Sequence, residues 1–481
     1  MDKFSVKITH FTKRWELMKS ILKMAALLLL STMINTSFAK NFSANVLAPN
    51  LVGFTNDVEE NRNQWAKFES DLEKMKELGI QSISTNIWWS LVESSDNNFN
   101  WSYYKKLSEI IIDKGLKWSP IISFHSCKSN EDDCNIPLPS WVFNKYSAHE
   151  SINDINDLKF ISQSGAVNDE YISFWATEIV ATEYKEFIQS FITEFNSKSS
   201  SILEIIVSLG PNAELRFPTN NNEVSSSAYS NLAKSSFRSF IKTKYKTIDN
   251  VNAAWESNLE TIEDIQPPLD SSFYTAEEFK SNYGKDFYDW YNSSLSEHGI
   301  IVLTTLIREL NKEDSSFLGK PIGTIIPGSI WSPTKDLNRL NELNAGLIRS
   351  SDNFWDNKNP ASGYDHIIGT LKDASVLTKF ENLNIHLTSI EMTAPKESKV
   401  DEEESTNLAF EISKLAKISN LGIMGQNQSA NVLGSNIAWD NIWNAVQNAN
   451  YTGLTIKTMN DISENPLAYD FYKWIIENMK K

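Results

Sequence analysis

Eight short apolar segments recur along this chain, separated by longer stretches with apolar residues at helical spacing, and that alternation restricts the fold more than any other feature. The segments are NVLAPNLV from Asn45, SISTNIWW from Ser82, KWSPIISFH from Lys117, ILEIIVSLG from Ile202, PIGTIIPGS from Pro321, NIHLTSIEM from Asn384, LGIMGQN from Leu421 and TGLTIKTM from Thr452. Between them WAKFESDLEKMKELG and YYKKLSEIIIDKG carry a helical period and end on Gly79 and Gly115, as helix C-termini do. Buried strands that alternate with helices build a parallel sheet, and eight of them close into a single α/β domain, a (β/α)8 TIM barrel. The intervals 126–201 and 211–320 then read as long loops after strands three and four, on the face where such barrels gather their sites. The acidic run KVDEEESTN from Lys399 reads as a solvated helix start, because carboxylates favour a helix N-terminus.

The N-terminus contains MKSILKMAALLLLSTMINTSFAK: Lys19 and Lys23, an apolar stretch from Met24, then the small residues of Ser37-Phe38-Ala39. This is the pattern of a secretory signal over residues 1–39, with Met18 as an alternative start, and it leaves 40–481 for the barrel. An exported chain with two cysteines, Cys127 and Cys134 in HSCKSNEDDCN, is expected to join them in a disulfide that staples a loop. A formal charge of -16 excludes nucleic acid, which needs a basic surface, but is compatible with a neutral sugar. No membrane association is expected once the signal is removed, and a monomer is expected.

Side chains at the C-terminal ends of barrel strands converge on one pocket. Here those ends carry Asn86, Trp88 and Trp89, then His125, then Glu214 and Arg216 in GPNAELRFP. Trp331, Thr388 and Glu391, Gln426 and Asn427, and Lys457 follow. Carboxylates, amides and aromatics with no Cys nucleophile or Ser elbow suit a sugar site, and glycosidic bonds are cut by two carboxylates flanking the oxygen.

HSCKSNEDDCNIPLPSWV and SLGPNAELRFP, together with NIWWSLVES, NFNWSYYKKL, NAAWESNL, QPPLDSSFYT, YGKDFYDWY and TSIEM, resemble the β-amylases of glycoside hydrolase family 14 in their bacterial form, in order from about Leu47 to the C-terminus. The resemblance implies an inverting exo-hydrolase that releases maltose from the non-reducing ends of α-1,4-glucans or maltooligosaccharides. Its general acid, the Glu of a Gly-Pro-x-x-Glu-Leu-Arg motif, is matched by Glu214. Its general base, the Glu of a Gly-Glu-Asn-Ala-Leu motif, falls on Gln426 in Gly425-Gln426-Asn427-Gln428-Ser429.

Other positions depart from the family pattern as well. Asn86 replaces a sugar-holding aspartate, Ile325 a lysine, Ile330 a histidine and Lys457 an arginine, while Trp331 is kept. The lid from Lys128 to Asp132 is one residue shorter and lacks its glycines, with His125 and Asp132 retained. The substrate-binding set implied is Asn86, His125, Asp132, Trp331, Thr388, Asn427 and Lys457. No cofactor is required. A structural calcium site is implied at Glu93, Asp96, Asn97, Gln163 and Glu170, with ordinary surface acids as the alternative reading of Glu93 and Glu170. Three functions follow from these substitutions: a working β-amylase whose base role passes to another carboxylate such as Glu391 or to an unassisted water, a non-hydrolytic α-glucan-binding protein, or an exported interaction protein that reuses the barrel.

Overall fold

The computed structural model of the chain describes residues 42–129, 134–219, 225–269, 272–275, 278–328, 340–349, 363–391, 404–428 and 433–479. Residues 1–39, read above as a signal, and Asp132, Ile330 and Trp331 lie outside them.

Eight parallel strands form a closed barrel in sequence order. They are β1 (Ser43–Leu47), β2 (Ser82–Trp88), β3 (Lys117–Ser123), β4 (Ile205–Val207), β5 (Ile322–Ile326), β6 (Leu383–Leu387), β7 (Gly422–Gln426) and β8 (Gly453–Lys457), and β8 pairs with β1 from Ser43↔Gly453 to Leu47↔Lys457. Each apolar segment of the sequence supplies one strand. The surrounding helices include α1 (Val58–Leu78), α2 (Ser102–Asp113), α3 (Thr177–Phe195), α4 (Asn282–Leu310), α5 (Asp365–Thr378), α6 (Glu404–Ile418), α7 (Asn436–Asn448) and α8 (Pro466–Met479). Helix α6 begins inside the acidic run.

Local chemistry sets the helix ends. Asp57 caps α1 by accepting from the N–H groups of Glu59 and Glu60, and Gly79 ends it at φ 94°, where a side chain would be strained. Phe68, Leu72, Met75 and Leu78 recur at helical spacing and are buried in the layer between helices and sheet.

The two long intervals are not loops throughout. The first contains α3 and the second α4, so each closes its β/α unit with a helix after a loop excursion. Within the first excursion Cys127 and Cys134 are joined by a disulfide across an antiparallel ribbon of Cys127–Ser129 and Cys134–Ile136.

Strand side chains alternate between the helix layer and the barrel interior. The interior is polar at its base, where Glu204 accepts from Asn384 Nδ2 (2.7 Å) and lies 3.1 Å from His386 Nε2. Toward the C-terminal ends it is closed by an aliphatic layer of Leu47, Ile121, Ile206, Ala213 and Ile325. That layer is the floor of the site.

Candidate functional site

The ends of all eight strands border one cleft of about 290 Å³. Leu47, Ala48 and Asn50 come from the end of β1, Asn86 and Trp88 from β2, and Ile121 and His125 from β3. Asn212 to Glu214 follow β4, Ile325 is on β5, and Thr388, Gln426 and Lys457 stand at the ends of β6, β7 and β8.

Glu214 reaches the cleft through an interruption of β4. Val207 pairs with Thr324, the chain then leaves the sheet at Ser208, and Glu214 returns to bridge Ile325, the next residue of β5. Leu215 N–H donates to Ile325 O (3.0 Å) and seals the return. The excursion is tight: Asn212 and Ala213 sit at φ 55° and 68°, a region costly for residues other than glycine. A side chain at Gly210 would approach Glu214 O to 2.4 Å. His298 of α4 pins the turn by donating from Nε2 to Leu209 O (3.0 Å).

The Glu214 carboxylate is buried and held at both oxygens. Arg216 Nε donates to Oε2 (2.8 Å) and the Thr388 hydroxyl donates to Oε1 (2.9 Å), while that hydroxyl oxygen accepts from Gly328 N–H (3.0 Å). A carboxylate clamped this way presents a fixed face to the cleft.

Gln426 enters from β7, and its side chain makes no hydrogen bond among the described residues. The next residue behaves differently. Asn427 is fully buried and is absent from the cleft wall, its Nδ2 donating to Lys457 O (3.0 Å) and its Oδ1 accepting from Lys457 N–H (2.6 Å). Its amide therefore holds the end of β8. Strand periodicity carries the signal for this split, since adjacent residues of a strand point to opposite sides.

Asn86 is fixed by Ser123 Oγ, which donates to its Oδ1 (3.1 Å), and by donating to Asn50 Oδ1 (3.3 Å). His125 packs edge-on against Trp88 with ring centroids 5.0 Å apart. Burial pushes its imidazole down to about 3, and the Lys457 ammonium adds to this, so the ring is neutral. Ile325 belongs to the aliphatic floor, where no charged group is offered to a ligand. Glu391 is 2 % exposed and does not border the cleft, and one oxygen accepts from Gln428 N–H (2.7 Å).

Sequence reasoning missed Asn50 and Glu170 as cleft residues. Asn50 lies three residues past the end of β1, within reach of the strand-end rule. Glu170 comes from a loop, and no sequence pattern aims it there.

The five residues read as a calcium set do not fit a cation. Glu93 accepts from Trp89 Nε1 (2.8 Å) and Asn97 N–H (2.9 Å), and burial pushes its carboxyl up to about 7. Beside it a half-exposed ammonium is in place, because Lys145 Nζ pairs with Asp96 (3.0 Å) and Glu183 (2.9 Å). Glu170 turns to the cleft, Gln163 supplies no charge, and no group of three His, Cys, Asp or Glu converges to hold a metal among the described residues.

Comparison with known proteins accords with this geometry. Residues 56–480 match the sequence model of Glycosyl hydrolase family 14. A beta-amylase of Niallia circulans is 34 % identical over 83 % of this chain, which spans 65 % of that protein's length. A beta-amylase of Cytobacillus firmus is 32 % identical over 93 % of this chain and 92 % of its own. The crystal structure of the catalytic domain of beta-amylase from Paenibacillus polymyxa superposes with a TM-score of 0.76 at 30 % identity, covering 92 % of this chain and 99 % of that one. The chain is a member of glycosyl hydrolase family 14.

Proposed function

We propose that the cleft receives the non-reducing end of an α-1,4-glucan, and that hydrolysis to maltose is slow because an amide stands where the reaction needs a base. The observation that carries this reading is that Glu214 and Gln426 border the same cleft from β4 and β7, three strands apart around the barrel.

Inversion at a glycosidic carbon needs one carboxyl group to protonate the leaving oxygen and a second to take a proton from water on the opposite face. In this reading Glu214 takes the first role, which its position on the cleft wall supports. The Gln426 carbonyl can accept a hydrogen bond from that water and orient it, but an amide does not accept its proton. Loss of a general base costs about 10²- to 10⁴-fold in rate. Glu391 does not fill the role, being buried behind the cleft wall with one oxygen engaged by Gln428.

Binding survives this loss. Asn86, Trp88, His125 and Lys457 offer amide, ring and ammonium groups to sugar hydroxyls and C–H faces, and none depends on Gln426 being ionised. No metal or cofactor takes part. The N-terminal signal and the disulfide support export, with the barrel acting as a monomer.

Calorimetric titration with maltopentaose tests the binding half. The wild type should bind, and Asn86→Ala should weaken binding about tenfold by removing a fixed polar contact. No heat from the wild type with maltopentaose or longer glucans would contradict the reading.

A further inference from the structure

On the outer wall of the barrel, helices α7 and α8 leave an aromatic groove of about 430 Å³ between them. It is lined by Trp439, Trp443, Phe471 and Trp474, with Asp440 and Asp470 at its margins. Trp443 and Trp474 meet at a ring-centroid distance of 4.5 Å and an angle of 62°, an edge-to-face contact that fixes both rings at the groove. Trp439 and Phe471 lie almost parallel, at 6°, beneath. Trp474 is 45 % exposed, a large apolar ring open to solvent.

We propose that this groove is a second, non-catalytic binding site for an α-1,4-glucan chain; the proposal rests on the glucan reading of the cleft. A glucose unit has apolar C–H faces and a rim of hydroxyls. The indole faces suit the former, and the two exposed carboxylates accept hydrogen bonds from the latter. Neither Asp440 nor Asp470 has an ion-pair or hydrogen-bond partner among the described residues, so both are available to a ligand. Two carboxylates on a chain of formal charge -16 repel phosphate, nucleic acid and anionic lipid, whereas a neutral polyhydroxyl ligand meets them without repulsion.

Position supports the same occupant. Barrel helices run antiparallel to their strands, so the N-terminal halves of α7 and α8 stand at the barrel end that carries the cleft. Trp439 and Asp440 lie in the first turns of α7 and Leu467 to Phe471 in the first turns of α8, with Trp443 and Trp474 just past the middle of each helix. The groove therefore lies on the flank of the sector whose strands, β7 and β8, end in Gln426 and Lys457. A polymer held there would keep its other segments close to the cleft, which raises the effective concentration of chain ends.

Retention on native gels containing soluble starch, with maltoheptaose calorimetry, tests the proposal on the full-length protein and on Trp474→Ala, Trp474→Phe and the Asp440→Asn/Asp470→Asn pair. Thermal unfolding confirms that each variant is folded. Trp474→Ala should weaken starch retention about tenfold, the size of one lost ring contact, and Trp474→Phe should restore most of it. The exposed double amide variant should weaken retention without altering stability. Binding that depends on Asn86 should be unchanged in all three. Starch retention equal to wild type in both Trp474→Ala and the double variant, with Asn86→Ala still weakening binding, would overturn the groove site alone. Concentration-dependent self-association that Trp474→Ala abolishes would assign the groove to a second copy of the chain and overturn it too. A wild type that binds no glucan would overturn both sites.

Discussion

Asn427 is bonded through both ends of its amide to the backbone of one residue, Lys457, donating to its carbonyl at 3.0 Å and accepting from its N–H at 2.6 Å. The ends of β7 and β8 are thereby fixed to each other, and with them the positions of Gln426 and the Lys457 ammonium. Asn427→Ala leaves both backbone groups without this partner and should cost about 2 kcal/mol in urea denaturation. Asn427→Asp keeps an acceptor for the N–H but sets a carboxylate oxygen against the Lys457 carbonyl. It should be at least as destabilised and should lose maltopentaose affinity.

Thr388 couples Gly328 to Glu214 through one hydroxyl. Thr388→Val, close in shape, should cost about 1–2 kcal/mol, because a buried N–H and a buried carboxylate oxygen each lose a partner. Thr388→Ser should restore most of it. Chemical denaturation of the three proteins decides this.

Acid should destabilise the fold in a defined window. His125 and His298 are both pushed down to about 3, in each case by burial first, from an ordinary 6.5. The unfolded chain therefore takes up protons that the folded chain refuses. Stability is fully present above pH 6.5 and falls as pH drops toward about 3, by about 1.4 kcal/mol per pH unit for each histidine. Glu93, pushed up from 4.5 to about 7 by burial, acts in the opposite sense, its contribution being present below 4.5 and lost as pH rises through 7. The two histidines outweigh Glu93, and His366, which burial also pushes down, adds to the loss in acid. Denaturation midpoints measured across this range should show it, and His125→Leu should make the slope shallower.

Lys145 bridges Asp96 and Glu183. Its side chain is 36 % exposed, so solvent screens the pair, while Glu183 is almost fully buried and would be left without its cation. Lys145→Ala should lower stability by about 1–3 kcal/mol. With the ammonium in place, a calcium chelator should leave the wild-type melting temperature unchanged.

The barrel was legible because each of its strands is an apolar segment with turn chemistry at its end, a signal carried by neighbouring residues. The interruption of β4 was not, since the chain's return at Glu214 is dictated by Ile325, a partner remote in sequence. The strand-end rule and the family motif both put Glu214 and Gln426 at the cleft. They also put Asn427 with the binding residues, although its side chain turns away to Lys457. The calcium set rested on matched acids. Lys145 was not legible beside them, since its approach to Asp96 and Glu183 is a tertiary event.

The central claim is tested most directly by maltose release from soluble starch, measured for wild type and Gln426→Glu at equal concentration. Wild type should release maltose close to background. Gln426→Glu should be faster by up to about 10²-fold as the base returns, yet short of the full 10⁴, because the neutral Asn86 and the aliphatic floor at Ile325 lack the charged groups that the family pattern sets at those positions. Brisk maltose release by the wild type, abolished in Gln426→Ala, would contradict the account and make the amide itself part of the mechanism.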